Sequence, residues 1–451
     1  MIDAIILAAG QGTRMKSNKA KVLHQLGGKS LLQHVVDAIN PLSASINIVI
    51  GNDAELVKNS IKNHSINWVV QKKQLGTGHA VQQVKTGIND KSTCIILYGD
   101  VPFISTNTIK SLIAQSLPTG FSLLSIILDD PSGYGRIVRD KNKVIQSIVE
   151  QKDADDEKQK INEINTGIMA IQGSLLKKYI SQLEPNNKQG ELYLTDIVEI
   201  AVSDNVTISS LVCDNASEVM GINNKNQLAE AERIYRKKQA KDLMSMGLTI
   251  KDPSRFDCRG NLIFGKDCSV DINVVFEGEN ELGNNVLIAP NCIIKNSQIG
   301  DHTEIKANSI IENSIIGSNT AVGPFARIRP ETEVGNHARI GNFVEVKKSI
   351  IGDKSKVPHL SYVGDSSIGQ DVNISAGVIT CNYDGANKNQ TIIEDGAFIG
   401  SDTQLIAPIT IGKNATIGAG STITEDAPSE KLTLSRKKQK TIDNWKRKKK
   451  Q

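Results

Sequence analysis

Aromatic residues supply only 4% of this 451-residue chain against 39% hydrophobic residues overall, so a sizeable core has to be packed from Ile, Val, Leu and Ala. No run approaches the roughly 20 apolar residues that a membrane-spanning helix needs, which excludes an integral membrane protein. Residues 1–10 hold no basic leader, and export is not expected. The six cysteines, Cys94, Cys213, Cys258, Cys268, Cys292 and Cys381, fall without CxxC spacing. Structural zinc and a disulfide framework are therefore not expected, and localisation to the cytoplasm is. Charge of one sign is lacking too: 53 Lys+Arg stand against 49 Asp+Glu, a net +4. The exception is local. Between Arg436 and Lys450 nine Lys/Arg meet one acid, Asp443, a local +8, so the remainder, at +4 less +8, carries −4. No nucleic-acid reader motif accompanies this tail, and attraction to an anionic ligand is expected in place of a nucleic-acid partner.

Two periodicities divide the chain, whose length predicts two or three domains. IDAIILAAG reads as a buried strand feeding a glycine loop, Ser30–Ile39 as a helix, and INIVI and INWVV as further strands. A helix near His79–Val84, a strand over Cys94–Leu97 and a helix from Thr106 continue the alternation to about Gly221. Such a pattern predicts an α/β layer with a largely parallel sheet, whose ligands bind at the carboxyl ends of the strands. From about Arg259 the period changes: Ile299, Ile305, Ile311, Ile316, Val322, Ile328, Val334, Ile340 and Val346 recur in steps of six or five, many followed by Gly. A helix would need steps of three to four; six-residue rungs predict a parallel β-helix, with the aliphatic inside and the small residue turning the corner. The polar stretch Thr380–Thr391 reads as a loop ejected from the coil, where solenoids place binding residues. The expected domains are 1–225 (α/β), 226–247 (a helical linker) and 248–451 (the repeat half with its basic tail).

Chemistry-bearing residues stand out in each half. In LAAGQGTRM, Gly10 and Gly12 let backbone N–H groups approach phosphate oxygens, while Arg14 and the following Lys21 offset phosphate charge. The string is neither GxGxxG nor GxxxxGK[ST], which weakens dehydrogenase and P-loop readings. In the repeat half, Arg327, Arg329 and Lys347 supply cations, and His359 and Tyr362 sit in PHLSYVGD ahead of a loop containing Asn382, Tyr383 and Lys388. A histidine beside a rung is as a rule a satisfied surface residue; Tyr362 and the polar loop shift the balance toward chemistry.

LAAGQGTRM with the downstream lysine resembles the signature of sugar-nucleotide pyrophosphorylases, with Ala20 where that family has proline. Further matches are QLGTGHA (74–80), LYGDVP (97–102), GYGR (133–136), IVEQKDA (148–154), EINTGI (163–168) and GINN (221–224). With the repeat half, they resemble end to end the bacterial bifunctional N-acetylglucosamine-1-phosphate uridylyltransferase / glucosamine-1-phosphate N-acetyltransferase family. The resemblance implies an α/β Rossmann-like nucleotidyltransferase domain followed by a left-handed parallel β-helix of hexapeptide repeats, assembled as a homotrimer and feeding peptidoglycan and lipopolysaccharide synthesis. It implies that Leu7, Gly10, Lys21, Gln71, Gly76, Thr77 and Tyr98 hold UTP, and that Gly135, Glu150 and Asn165 hold the amidosugar. Asp100, at a strand end beside a glycine, is placed to hold Mg2+ with Asn223; taken alone, that Asp equally caps a turn.

For the second reaction the resemblance implies Arg329, Lys347, Tyr362, Asn373 and Lys388 at glucosamine-1-phosphate. Ala376, Asn382, Tyr383, Ser401, Ala419 and Arg436 would line acetyl-CoA, the small residues admitting the pantetheine arm. His359 is the expected general base, since imidazole titrates where an amine proton has to be accepted; Glu345 is a candidate partner. Arg14 and Lys21 are the expected catalytic cations of the first site. The alternatives are a single-activity nucleotidyltransferase with a regulatory β-helix, and an assembly scaffold.

Overall fold

The computed structural model describes residues 1–10, 12–42, 44–51, 53–61 and 65–447. The chain divides into two compact units, 1–234 and 235–451, and the division falls inside a helix over Lys225–Ser245.

In the first unit the main path of the sheet runs Ser209–Val212, Phe121–Ile127, Glu163–Gln172, Thr93–Tyr98, Ile2–Ala8, Ser45–Ile50, Ile66–Val70. Ile2–Ala8 pairs in parallel with Thr93–Tyr98 and Ser45–Ile50, whereas Glu163–Gln172 is antiparallel to both its neighbours. The apolar run Ala4–Ala8 of the first strand follows from burial on both faces: Ile6 and Leu97 join one core cluster, Ile5 and Ile96 the other. The first long helix spans Leu31–Ile39. Ser30, read above as its first residue, is its cap, with Oγ accepting from Gln33 N–H at 3.2 Å.

The second unit is a parallel β-helix. Each strand pairs with the one three sides further along the chain, as Val275 does with Ile293 and Ile340 with Val357, so three six-residue sides close one coil. Ile311, Val322, Ile340 and Val346 are fully buried in one continuous core. The corners depart from expectation. They are turned by residues with positive φ such as Asn291, Asn296, His302, Asn308, Asn313 and Asn319, and not, Gly323 at φ +99° excepted, by the glycines that follow the aliphatics. Those glycines are needed because coils stack closely: a Cβ at Gly317 would lie 2.6 Å from the carbonyl carbon of Gly335 on the next coil. Asn tolerates the left-handed region better than other side-chain-bearing residues, which suits it to the corner.

The loop is shorter than expected: Thr380 and Cys381 stay in the coil, paired with Leu405 and Ile406, and Ser366 finds its pairing partner, Thr391, only after the chain has returned from the residues between them. The loop is ordered by an antiparallel bridge between Tyr383 and Lys388 and by Asp384 Oδ1, which accepts from Ala386 N–H at 2.8 Å and Asn387 N–H at 2.6 Å.

Because the glycines serve stacking and the asparagines serve turning, their substitutions separate. Gly317→Val should destabilise the β-helix by about 1–3 kcal/mol through overpacking, and Asn319→Gly by no more than about 0.5 kcal/mol. Thermal unfolding of the two variants checks this; equal effects would contradict the assignment.

Candidate active sites

The first unit holds a cavity of about 600 Å3 at the carboxyl ends of its central strands, bringing together Leu7, Gly10, Lys21, Gln71, Gly76, Thr77, Tyr98 and Asp100. Strand order explains the convergence: Leu7, Gln71 and Tyr98 stand near or just past the carboxyl ends of strands in one parallel stretch of the sheet, with Ser45–Ile50 between the strands that carry Leu7 and precede Gln71. Gly12, at φ +62°, is the close approach of the loop, since a Cβ there would sit 2.8 Å from Cβ of Lys21. Ala20 holds φ −52°, a value open to the proline expected there, so its presence leaves the loop's path unchanged. Gly76 caps the helix Thr77–Gln82 with φ +109° against the Leu192 backbone, and Thr77 Oγ1 accepts from Leu194 N–H at 3.0 Å.

At the cavity mouth Lys21 Nζ donates to Asp100 and to Asn223 Oδ1 (3.0 Å), and Arg14 Nη2 donates to the same Asn223 oxygen at 3.2 Å. The Lys21 and Asp100 side chains are 16% and 13% exposed. A carboxylate and an amide oxygen thus converge on one cationic centre, a hard-oxygen donor pair suited to a divalent cation that takes its other ligands from phosphates and water.

Gly135, Glu150 and Asn165 lie together. Asn165 N–H donates to Gly135 O at 2.8 Å, and a Cβ on Gly135 would stand 3.4 Å from both Glu150 carboxylate oxygens. Burial raises the Glu150 carboxyl above its ordinary range, with Thr195 Oγ1 donating to it at 3.2 Å. Tyr98 joins this cluster to the cavity: its ring fills the space beside Gly167, and its phenol is raised by burial, then by the charges of Glu150 and Asp100. Beside Glu150, burial and then the charges of Glu150, Glu199 and Asp153 push Asp196 up to about 6. Thr195, Asp196 and the cavity-lining Gln74 were not singled out from sequence. Gln74, whose Nε2 donates to Ala9 O at 2.6 Å, opens the QLGTGHA string and could have been.

In the second unit, Arg329, Lys347, Tyr362 and Lys388 share a network of acids. Arg329 Nη1 donates to Glu345 Oε1 at 2.7 Å, and Lys347 Nζ lies 3.5 Å from Asp365. Asn382 Nδ2 donates to Asp365 and reaches Tyr362 Oη at 3.5 Å. Lys347 beside it lowers the Lys388 ammonium below its usual range. Asn373 stands apart from this network, one coil from Lys356 and one from Phe398.

The remaining residues stack along one corner. Ala376 O accepts from Asp402 N–H and Ser401 O from Gly420 N–H, both at 2.8 Å, placing Ala376, Ser401 and Ala419 on successive coils. Arg436 lies over the next, 3.6 Å from where a Cβ on Gly418 would stand. His359 begins the same column, because Leu360 O accepts from Gly377 N–H at 3.2 Å. The partner suggested for it above is wrong: Glu345 is engaged by Arg329, and His359 Nδ1 meets Asn342 Oδ1 at 2.7 Å. An amide oxygen only accepts, so this contact matches the neutral tautomer protonated on Nδ1, the one in which Nε2 is a lone pair.

Comparison with known proteins bears on both units. Residues 4–136 match the MobA-like NTP transferase domain, 258–341 the GMPPB C-terminal domain and 390–425 the bacterial transferase hexapeptide (six repeats). The bifunctional protein GlmU of Ruthia magnifica subsp. Calyptogena magnifica is 57% identical over 446 residues, covering 99% of this chain and 98% of the relative. That of Marinobacter nauticus is 50% identical over 450 residues, covering 100% and 99%. The chain belongs to the GlmU family. It is a bifunctional transferase of cell-wall precursor synthesis, acetylating glucosamine-1-phosphate and uridylylating N-acetylglucosamine-1-phosphate. The single-activity alternative is thereby set aside. A divalent metal accompanies the nucleotidyltransferase half in this family. Among the described residues no helix is long and apolar enough to cross a membrane.

If Asn342 selects the His359 tautomer, Asn342→Ala should lower acetyl-transfer kcat about tenfold or more and displace its pH profile, while uridylyl transfer stays unchanged. Steady-state kinetics of both reactions across pH checks this. An unshifted acetyl-transfer profile with normal kcat would remove Asn342 from the mechanism.

Proposed function

We propose that the two activities are carried by the two residue sets described above, one in each unit. For uridylyl transfer, the observation that carries the assignment is the convergence of Lys21, Arg14, Asp100 and Asn223 at the mouth of the cavity. UTP lies against Leu7, Gly10, Gln71, Gly76 and Thr77, with Gly135, Glu150 and Asn165 at the amidosugar. An oxygen of the sugar phosphate attacks the α-phosphorus; the new P–O bond forms as the bond to the β-phosphate oxygen breaks and pyrophosphate leaves. A phosphate monoester is already nucleophilic, so the residues align and neutralise in place of removing a proton. Lys21 and Arg14 stabilise charge on the phosphates. Mg2+ is the ion whose chemistry fits Asp100 and Asn223, and when bound it supplies further charge neutralisation.

For acetyl transfer, the carrying observation is the column His359, Ala376, Ser401, Ala419 and Arg436. It spans four coil spacings, roughly 19 Å at about 4.8 Å each, a length suited to an extended pantetheine arm. Arg436 meets a phosphate at the far end, and the cations beyond it add diffuse attraction. Asn382 and Tyr383 flank the thioester, and Arg329, Lys347, Tyr362 and Lys388 hold glucosamine-1-phosphate with Asn373. The sugar amine attacks the thioester carbonyl, His359 Nε2 takes its proton, and the C–S bond breaks to release the coenzyme thiolate.

Assembly is as a homotrimer through the β-helix. Ile315, Ile350 and Ile392 support this reading: they project from one column of its surface at 48%, 54% and 39% exposure. The substrates are small molecules of the cytoplasm, where the chain acts.

Crossed variants test the division. Lys21→Ala should lower uridylyl-transfer kcat/KM about 100-fold or more and leave acetyl transfer intact; His359→Ala should do the reverse. Loss of both activities in either variant would signal misfolding in place of a specific role, and normal acetyl-transfer kcat in His359→Ala would end the general-base assignment.

A further inference from the structure

Gln71 lines the nucleotide cavity and is only 4% exposed. It follows directly on the strand Ile66–Val70, with its main-chain N–H donating to Ile50 O at 2.8 Å. Its side-chain Nε2 donates to Gly76 O at 3.2 Å and meets His79 Nδ1 at 2.9 Å. A main-chain carbonyl only accepts, so the Gly76 contact settles which end of the amide is nitrogen. Both N–H groups are engaged within the protein, while Oε1 meets no donor among the described residues.

His79 sits in the first turn of the helix Thr77–Gln82, its ring bracketed by two amides: Gln71 at Nδ1 and Gln83 Nε2 at 3.2 Å from its own Nε2. A neutral imidazole has one acceptor nitrogen, so only one amide can donate to it. Gln71 is buried and anchored. Gln83 is exposed, and turning its amide sacrifices only a 3.1 Å contact with His79 O that water can replace. Nδ1 is therefore the acceptor and Nε2 carries the proton. The other tautomer would set N–H against N–H beside the buried Gln71 amide, at the cost of an unsatisfied donor.

We propose that His79 is a positioning residue for nucleobase selection, holding the Gln71 amide so that Oε1 is the group offered to the base. Uracil presents a donor at N3, whereas cytosine presents an unprotonated acceptor there. Oxygen at this point favours the first and sets two acceptors face to face with the second. The proposal rests on the reading that this cavity takes UTP.

The test uses the full chain with N-acetylglucosamine-1-phosphate, comparing kcat/KM for UTP and CTP in the wild type, His79→Ala, His79→Gln and Gln83→Ala. Acetyl transfer in the same samples reports folded protein. His79→Ala should narrow the UTP/CTP ratio about tenfold, the scale of one hydrogen bond. His79→Gln, with an amide oxygen in place of Nδ1, should stay within about threefold of the wild type, and Gln83→Ala should keep the ratio. An unchanged ratio in His79→Ala, or equal losses with both nucleotides, overturns the proposal and leaves His79 a packing residue. Should His79→Ala not fold, His79→Lys against His79→Gln carries the same comparison: lysine offers only donors, and the ratio has to fall in that variant alone. A wild-type chain that turns over no UTP would instead overturn the UTP reading itself, since no variant would then have a ratio to compare.

Discussion

Parallel strand pairing is the constraint on which both halves of this protein depend. In a parallel ladder every strand runs out at the same end, so residues far apart in sequence are delivered to one edge. In the first unit that edge collects the ends of Ile2–Ala8, Ile66–Val70 and Thr93–Tyr98 around a single cavity. In the second the same rule operates along a coil. Pairing at intervals of one full coil repeats each corner directly above the last, and His359, Ala376, Ser401 and Ala419 become a column with Arg436 over its end.

The two sites solve different electrostatic problems. Uridylyl transfer gathers negative charge, and the residues proposed for it are cations and hard oxygens held in mutual contact: Lys21 against Asp100 and Asn223, with Arg14 on the same amide oxygen. Acetyl transfer has to remove a proton from an amine, and the residue proposed for that step is an imidazole whose Nδ1 meets a neutral amide. A carboxylate in that place would stabilise the imidazolium more strongly; Glu345, the candidate named from sequence, is held by Arg329 on the side where the sugar phosphate is proposed to bind.

Much of this was legible in the chain because geometry forces repetition into sequence. A side of the β-helix is six residues long and its interior position repeats with it, so the ladder of Ile and Val is plain in the order of residues alone. The alternation of the first half and its glycine loop are readable for the same reason. The roles of the corner residues were not. Gly and Asn recur with the same period, and only φ values and coil spacing show that Asn turns the chain while Gly makes room for the next coil. Asn342 was hidden because it stands one full coil before His359, and that register depends on the strand pairing rather than on proximity in the chain. Thr195 and Asp196 were invisible as neighbours of Glu150 because the chain returns to that cluster from a separate segment.

The central claim is that one chain carries two consecutive transfers at separate sites. Its most direct test is product formation by the purified wild-type chain given glucosamine-1-phosphate, acetyl-CoA, UTP and Mg2+, followed by mass spectrometry with each donor omitted in turn. The account predicts UDP-N-acetylglucosamine only when both donors are present, with N-acetylglucosamine-1-phosphate accumulating when UTP is withheld. Uridylylated product without acetylation, or no acetylated intermediate in the absence of UTP, would contradict it.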